Sequence, residues 1–395
     1  MKKIFRKTAS LLACVPFFMG ALSVGLASCD SETKTPELID DDGGALSCVE
    51  QILDGCSDIS NEVGEAKIGD PLSLYNDGQT EKALYSVESW YSWRSRQDYS
   101  NNILSVRNAY YGSLDGKVAT HSLSALLATA NASLDASMKD AIQQAYDAIL
   151  AIPDPFCQNI NCEEAKVAQE KCADLDGIIE EVKSYIQKSK DINTNEVLDP
   201  IVNNYVDVVV LPTYKTLSEN ADLLYTAVLN FRNNPSDDAF SETATAWIAA
   251  REPWEKSEAF LGFGPVDTEG LDPNMDSWPL DQDQIANILK SNNYDSMEWT
   301  PGDDDDAIAN AQNIRGFHTL EFLIFKEGHA RTTSDTEGTG SAGMVWNENN
   351  RNSWGNYMLE CAKLLKDDAN TLYDCWSKEY KNGKSYATLF KEHNI

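Results

Sequence analysis

Residues 163–188, EEAKVAQEKCADLDGIIEEVKSYIQK, carry the clearest structural pattern in the sequence. Apolar side chains recur there at steps of three and four residues, namely Ala168, Cys172, Leu175, Ile179, Val182 and Ile186. Because an α-helix has about 3.6 residues per turn, this spacing places them on one face and predicts a helix that buries that face. The alternation that marks a half-buried strand does not occur in this stretch.

The same helical period continues over most of the chain. It predicts further helices at 49–63, 81–110, 134–151, 197–232, 238–260, 305–326 and 351–380. Strand-like runs are scarce, and the apolar run at 208–210 lies inside a helical pattern. We therefore predict an all-α protein of the bundle type. Two long segments rich in turn-forming or small polar residues, 262–281 and 327–349, are predicted to be loops, which often carry function.

Composition limits the possible classes of protein. Of the 395 residues, 42% are hydrophobic and 24% are charged, which is typical of a globular protein and excludes a disordered, collagen-like or polytopic membrane protein. Acidic residues outnumber basic ones by 63 to 32, and the formal net charge is −31. A surface with this much negative charge repels phosphate backbones, so we predict no nucleic-acid binding.

The N-terminus has the pattern of an export signal. Residues 1–28 combine early basic side chains with a long apolar run and end in Leu-Ala-Ser before Cys29. This order is typical of a secretory signal peptide, and Leu-Ala-Ser-Cys resembles a bacterial lipobox in which Cys29 is lipidated. The acidic stretch that follows predicts a lipid-anchored tether at 29–47. We expect an outer-membrane lipoprotein of a Gram-negative bacterium, facing the periplasm or the cell surface; a plain signal peptide or a membrane anchor is the alternative.

Seven cysteines follow Cys29. An exported chain can form disulfides, and Cys157, Cys162 and Cys172 are close enough in sequence to predict a bridge within this trio. Because seven is an odd number, at least one thiol should stay free or pair with another chain. The sequence contains no CxxC motif, which argues against a thioredoxin-like or zinc-ribbon site.

The sharpest local motif is GFHTLEF, which starts at Gly316. A spacing of three places His318 and Glu321 on one helix face, where an imidazole nitrogen and a carboxylate oxygen can bind one divalent metal. A structural hydrogen-bonded pair has the same spacing and is the commoner case for a lone His-x-x-Glu. The zinc-peptidase motifs HExxH and HxxEH are both incomplete, because Thr319 follows the histidine and Phe322 stands where a second histidine is needed.

Several segments together resemble the imelysin family. Gly-x-His-x-x-Glu at 316–321, followed by an apolar run, resembles the family signature, and 251–260 resembles its Arg-x-x-Trp-x-x-Ser-Glu-x-Phe helix. The segments 205–214 and 276–281 resemble other parts of the same half. Residues 89–112 resemble the other half of the family, an Asp-x-x-x-Asn helix that ends in a Tyr-x-Gly turn. These independent matches span most of the chain.

The order of the halves differs from the family pattern, in which the Gly-x-His-x-x-Glu half comes first. The resemblance therefore implies a circular permutation, with one helical-bundle half at 48–190, the imelysin-like half at 197–395 and a connector at 187–196. Bundles with neighbouring termini tolerate such reordering at exposed loops. We expect the two halves to pack together, with long loops around a central pocket, and the motif helix at 310–326 to lie against the helix at 88–110.

The resemblance also implies a site and a function. Imelysin-like proteins are exported and associated with iron uptake, so we expect a divalent metal (iron or zinc) or an iron-bearing ligand, and an outer-membrane transporter as a partner. The expected metal ligands are His318, Glu321 and Glu258. The other pocket residues that the family motifs imply are Arg251, Asp98 and Asn102, and Arg251 would orient a carboxylate.

Three classes of function remain open. A binding protein for a metal or an iron-bearing ligand is favoured, because one histidine and few carboxylates supply neither an obvious open metal position nor a general base. A metallopeptidase of the imelysin type is the first alternative, since peptidase activity gave the family its name. A surface lipoprotein that captures glycans is the second; it draws on 9 Trp and 16 Tyr residues, most of which have the spacing of core residues.

Replacing Cys29 by alanine should release the protein from membranes, because the change removes the acceptor of the lipid. Membrane fractionation, with mass spectrometry of the N-terminus, measures both anchoring and lipidation. The variant should be unlipidated and absent from the membrane fraction. Membrane retention of a cleaved, unlipidated variant would contradict the lipid anchor.

Overall fold

The computed structural model describes residues 43–300, 303–336 and 350–395, and their secondary structure is predominantly helical. The helices before residue 190 are α1 (Gly44–Glu62), α2 (Asp70–Asn76), α3 (Thr80–Ser86), α4 (Ser95–Tyr111), α5 (Leu123–Ala130), α6 (Ala132–Ala151) and α7 (Glu163–Lys188). Those after it are α8 (Asn195–Asn204), α9 (Leu211–Asn233), α10 (Asp237–Glu255), α11 (Pro265–Thr268), α12 (Leu271–Asp276), α13 (Gln282–Ser291), α14 (Asp305–Gln312), α15 (Gly316–Ile324), α16 (Asn350–Ser377) and α17 (Tyr386–Lys391). π-Helical segments at Val63–Gly69 and Tyr205–Val210 join α1 to α2 and α8 to α9.

The all-α prediction is confirmed. In the described residues the exception is one antiparallel hairpin of two short strands, β1 (Phe325–Lys326) and β2 (His329–Ala330), which follows α15 directly. Among the helices of the described ranges, none is both long and apolar enough to cross a membrane.

Helix α1 joins the two halves of the molecule. Within the earlier half α7 packs along α6, and within the later half α9 packs along α10 and α16. Helix α1 contacts α4 and α7 of its own half, and also α8 and the 3₁₀ turn at Glu258–Phe260 of the other. Its apolar stripe is buried, as the sequence spacing predicts, with Val49, Ile52 and Ile59 nearly inaccessible to water. Residues from both halves therefore share one core.

The predicted helix at 88–110 begins later than expected. A turn separates α3 from α4 and contains left-handed backbone at Ser89 (φ 54°) and Trp93 (φ 58°), which residues other than glycine adopt only rarely. The turn presents the backbone N–H of Ser92 to Oε1 of Glu321 at 2.8 Å. The segment at 88–110 and the motif helix are therefore in contact, as expected.

Two other segments differ from the sequence predictions. The predicted loop at 262–281 contains α11 and α12. The predicted helix at 238–260 ends early, as α10, and the chain then forms the 3₁₀ turn that carries Glu258. Arg251 and Glu258 therefore do not share a helix face, although their spacing of seven residues predicts that they do.

The expected disulfide is wrong, because Cys157, Cys162 and Cys172 are all free thiols. Cys162 instead caps α7, where its sulfur accepts a hydrogen bond from the backbone N–H of Ala165 at 3.3 Å. Cys172 lies ten residues further along the same helix, which is about 15 Å at 1.5 Å per residue and too far for a bridge to Cys162.

The N-terminal predictions fall largely outside the described residues. These are the signal peptide at 1–28, the lipidation of Cys29 and most of the tether at 29–47. Helix α1 begins at Gly44, so the last residues assigned to the tether are helical.

Replacing Gly55 by alanine should destabilise the protein by about 1–3 kcal/mol, whereas Gly177→Ala should stabilise it by up to about 1 kcal/mol. A Cβ at Gly55, on α1, would lie 3.0 Å from the carbonyl carbon of Ala259, in the turn that carries Glu258. At Gly177, on α7, nothing lies within 4 Å of an added Cβ. Urea unfolding of the two variants measures the difference, and stabilisation by both changes would contradict the close packing of α1 on this turn.

Candidate metal centre

Gly316 positions the motif helix against the end of α12. Its φ of +83° is in the left-handed region that favours glycine. A Cβ at this position would lie 3.0 Å from the carbonyl oxygen of Asn274 and still closer to that of Met275. Because glycine permits this approach, Asp276, the last residue of α12, lies beside His318.

His318 is 1% exposed and contacts carboxylates through both ring nitrogens. Nδ1 lies 2.9 Å from Oε2 of Glu321, and Nε2 lies 3.1 Å from Oδ1 of Asp276. A guanidinium nitrogen of Arg251 lies 3.4 Å from the same Nε2. The ring of Trp278 packs against the imidazole, with 4.8 Å between their centroids. The motif histidine is therefore buried in a charged centre and not in an apolar core.

These contacts fix the charge of the imidazole. Burial lowers the pKa of His318, but the carboxylate of Asp276, with support from Glu321, outweighs burial and raises that pKa to about 9. Burial raises the pKa of Asp276, yet Arg251 and His318 hold it well below its usual range. At neutral pH both imidazole N–H groups therefore donate to carboxylates. A metal can bind a nitrogen of His318 only after that nitrogen has lost its proton. An ordinary histidine, with a pKa of about 6.5, is already neutral at pH 7, whereas His318 still carries the extra proton.

Arg251, on α10, is the second cation of the centre and is also 1% exposed. Its guanidinium donates to Asp276 and pairs with Glu255 at 2.5 Å, and it lies 3.8 Å from Asp98. Trp254, on the same helix, donates its indole N–H to Asp276 at 2.7 Å. Arg251 thus holds carboxylates from three different helices, namely Glu255 on α10, Asp276 on α12 and Asp98 on α4.

Helix α4 and the turn before it complete the network. Asn102 donates its amide to Oε2 of Glu255 at 2.5 Å, and the hydroxyl of Ser92 donates to Glu321 at 2.8 Å. The amide oxygen of Asn102 is buried without a hydrogen-bond partner in the described residues, as is the hydroxyl of Thr319 on the motif helix. The network includes five of the residues predicted from the sequence: Asp98, Asn102, Arg251, His318 and Glu321.

Glu258 joins a different set of ligand atoms. One carboxylate oxygen from each of Glu255, Glu258 and Asp276 lies within 4.8 Å of the other two. We call these three residues the carboxylate cluster. In the described residues, this cluster is where three or more His, Cys, Asp or Glu side chains bring their ligand atoms within 4.8 Å of one another. The structure therefore groups Glu258 with Glu255 and Asp276, and not with His318 and Glu321 as a third ligand.

The carboxylate cluster contains more acidic groups than the neighbouring cations can compensate. Burial raises the pKa of Glu255 to about 8 against the opposing effect of Arg251, and it raises the pKa of Glu258 well above its usual range against that of Lys67. Glu62 and Asp272 interact electrostatically with the cluster and are exposed to water. The cluster thus lies beside a water-accessible acidic face, where a cation can replace protons.

Lys67 is a buried cation beside this cluster. Its ammonium nitrogen lies 2.8 Å from Glu88 and 3.5 Å from Glu62, and the residue is 5% exposed. Burial lowers the pKa of Lys67, but Glu88, Glu62 and more distant acids outweigh burial and hold it well above its ordinary value. The side chain is therefore an ammonium ion at physiological pH.

Sequence reasoning missed Glu255, Asp276 and Lys67 as site residues. A usable signal existed for Asp276, which begins one of the segments that match the family pattern, and for Glu255, which stands one helical turn after Arg251. We find no sequence signal for Lys67, because its position depends on the π-helical segment that contains it.

A cavity of about 510 Å³ adjoins the centre between the two halves. Its lining comes from Tyr85 and Tyr91 on one side and from Trp278 and residues 279–283 on the other. Trp278 separates this space from His318, whose ring it packs against. This cavity lies next to the motif histidine, but neither His318 nor Glu321 lines it, although the sequence predicts that both should.

Comparison with known proteins gives consistent matches. A family model described as imelysin matches residues 32–182 and 210–394. The solved structure of an imelysin peptidase from Bacteroides ovatus matches with a TM-score of 0.73 and 58% identity, over 74% of this chain and 84% of that one. Iron-regulated protein A from Synechococcus elongatus is 32% identical over 124 residues, so the match spans 31% of this chain and 31% of that curated relative.

NMR titration of the imidazole should give His318 a pKa of about 9. Since this value is raised above the unfolded value of about 6.5, the stability that His318 contributes is fully present below pH 6.5 and is lost as the pH rises through about 9. Asp276→Asn should shift the pKa back toward 6.5, and His318→Gln assigns the signal. A wild-type pKa near 6.5 would contradict the imidazolium between two carboxylates.

Proposed function

The chain belongs to the imelysin family, and from this premise we propose that it is an exported binding protein that holds a divalent metal, with iron as its cargo. The observation that carries the proposal is the carboxylate cluster, which brings three potential ligand oxygens within 4.8 Å of one another. Carboxylate oxygens are ligands for hard cations, and the neighbouring acids add to their attraction.

The choice of iron rests on a relative and not on the ligands alone. The Synechococcus protein that matches part of this chain is named iron-regulated. Oxygen ligands also suit Mn²⁺, Ca²⁺ and Mg²⁺, so selectivity has to be measured. A lipid anchor at Cys29 would hold the protein at the outer membrane, where we propose that it passes iron to a transporter.

The unpartnered amide oxygen of Asn102 supports a ligand-binding centre. Buried polar atoms usually have a hydrogen-bond partner, and each exception requires a physical reason. Asn102 already donates to Glu255, so it holds one member of the carboxylate cluster in place. Such supporting contacts orient metal ligands and commonly change affinity by about tenfold or more when they are removed.

Peptide hydrolysis is the second candidate, because the Bacteroides relative is named a peptidase. A metallopeptidase needs an open metal position, an activated water and a general base. With both nitrogens of His318 in contact with carboxylates, the motif pair is better suited to hold the network together than to activate water. We therefore propose binding as the function. Hydrolysis of a peptide panel by the metal-loaded protein, abolished in Glu321→Gln, would support the peptidase instead.

Calorimetric titration under anaerobic conditions should show Fe²⁺ binding that Glu258→Gln and Asp276→Asn each weaken by about tenfold or more. The matched control is Glu163→Gln, which removes an exposed acid at the start of α7 and should leave the affinity unchanged. Affinity should rise as the pH rises through about 8, because the metal displaces protons from Glu255 and Glu258. Mn²⁺, Ca²⁺ and Zn²⁺ titrated in parallel measure selectivity.

Two results of the same titration would count against this site. Loss of affinity in Glu321→Gln but not in Glu258→Gln would move the metal to the motif pair. Equal affinity in the wild type, Glu258→Gln and Asp276→Asn would contradict binding at the carboxylate cluster.

A further inference from the structure

Lys67 is held in place by an irregular helix. It lies in the π-helical segment Val63–Gly69, which interrupts the path from α1 to α2. Single-turn π-helical segments inside α-helices are rare and occur frequently at functional sites. A Cβ at Gly64 would lie 2.9 Å from the side chain of Cys172, so the segment packs closely on α7. The side chain of Lys67 extends to the acidic residues Glu62 and Glu88.

The contacts of Lys67 connect it to the proposed metal site. It pairs directly with Glu88 and Glu62, and it interacts electrostatically with Glu255 and Glu258 of the carboxylate cluster. The ammonium pairs directly with only two of these four acids, so ligand oxygens of the carboxylate cluster remain available to a second cation. The ammonium and a metal ion are therefore attracted to overlapping sets of carboxylates.

We propose that Lys67 is a tethered cation that competes with the metal for the acidic residues around the carboxylate cluster and thereby sets the metal affinity. This inference rests on the proposed function. Lys67 pairs directly with two acids and interacts with two members of the carboxylate cluster. Its ammonium also has a route away from the cluster, because Glu62, one of its partners, has a side chain that is 50% exposed.

The competition has a direct consequence for uptake and release. When a metal enters, it supplies more charge than the ammonium does, and the flexible stem of Lys67 lets the ammonium move toward Glu88 and water. When the metal leaves, Lys67 again compensates the acids that the metal had held. The affinity is therefore lower than the carboxylates alone would give, which suits a protein that must pass its cargo on.

The test is calorimetric titration of the full-length protein with Fe²⁺, and with Mn²⁺ as an oxidation-resistant probe. Lys67→Met should bind both ions about ten- to a hundredfold more tightly than the wild type, because the change removes a positive charge that interacts with Glu255 and Glu258 and repels the metal. Lys67→Arg, which keeps the charge, should retain the wild-type affinity. Lys183→Met is the matched control; it removes a half-buried ammonium that pairs with Asp54 on α1, and it should change affinity little.

Lys67→Gln is a second neutral variant, which keeps the test valid if Lys67→Met does not fold. It removes the same charge, and its amide can still donate a hydrogen bond to Glu88. It should also tighten binding, and metal should raise its Tm by more than it raises that of the wild type. Wild-type binding with unchanged or weaker affinity in the neutral variants would overturn the competition and leave the proposed function in place. If neither the wild type nor the two neutral variants bind metal, the competition and the proposed function are both overturned. Binding by the neutral variants alone would support the competition strongly.

Discussion

The ion pairing of Arg251 is the interaction on which the rest of the centre depends. Its guanidinium reaches Glu255 on its own helix, Asp276 at the end of α12 and Asp98 on α4. Asp276, held in its charged form by Arg251, in turn raises the pKa of His318. Removing one partner of a buried ion pair typically costs about 3–5 kcal/mol, because the remaining charges lose their compensation. The charge state of the motif histidine therefore depends on Asp276, whose charged form Arg251 stabilises.

A core with so many charged groups is expensive in free energy, and it indicates a role beyond stability. An apolar core of similar volume would often be as stable or more stable. Here the acidic residues outnumber the bases Arg251, Lys67 and His318, and part of the acidic face remains open to water through Glu62 and Asp272. This arrangement favours a cation that enters from solvent. The same imbalance explains why protons and the Lys67 ammonium are the natural competitors of a metal.

Much of the fold could be predicted from the sequence because helical periodicity is local information. The spacing in α1 and α7 identified their buried faces, and the motif spacing placed His318 and Glu321 together. The features that the sequence did not predict depend on tertiary contacts. The turn at Ser89 and Trp93, which presents Ser92 to Glu321, contains no glycine or proline that would predict it. The early end of α10 moves Glu258 away from the motif pair and into the carboxylate cluster. The proposed circular permutation stays a prediction, although contact between the two halves is as expected.

Anomalous X-ray diffraction from crystals soaked in Mn²⁺ or Fe²⁺, with data collected at the metal edge, tests the central claim most directly. We predict one strong anomalous peak among the carboxylate oxygens of Glu255, Glu258 and Asp276, with His318 still in contact with Glu321. In the same crystals the ammonium of Lys67 should lie further from Glu62 than the 3.5 Å of the present structure. A peak between His318 and Glu321, with the carboxylate cluster empty at saturating metal, would contradict the account.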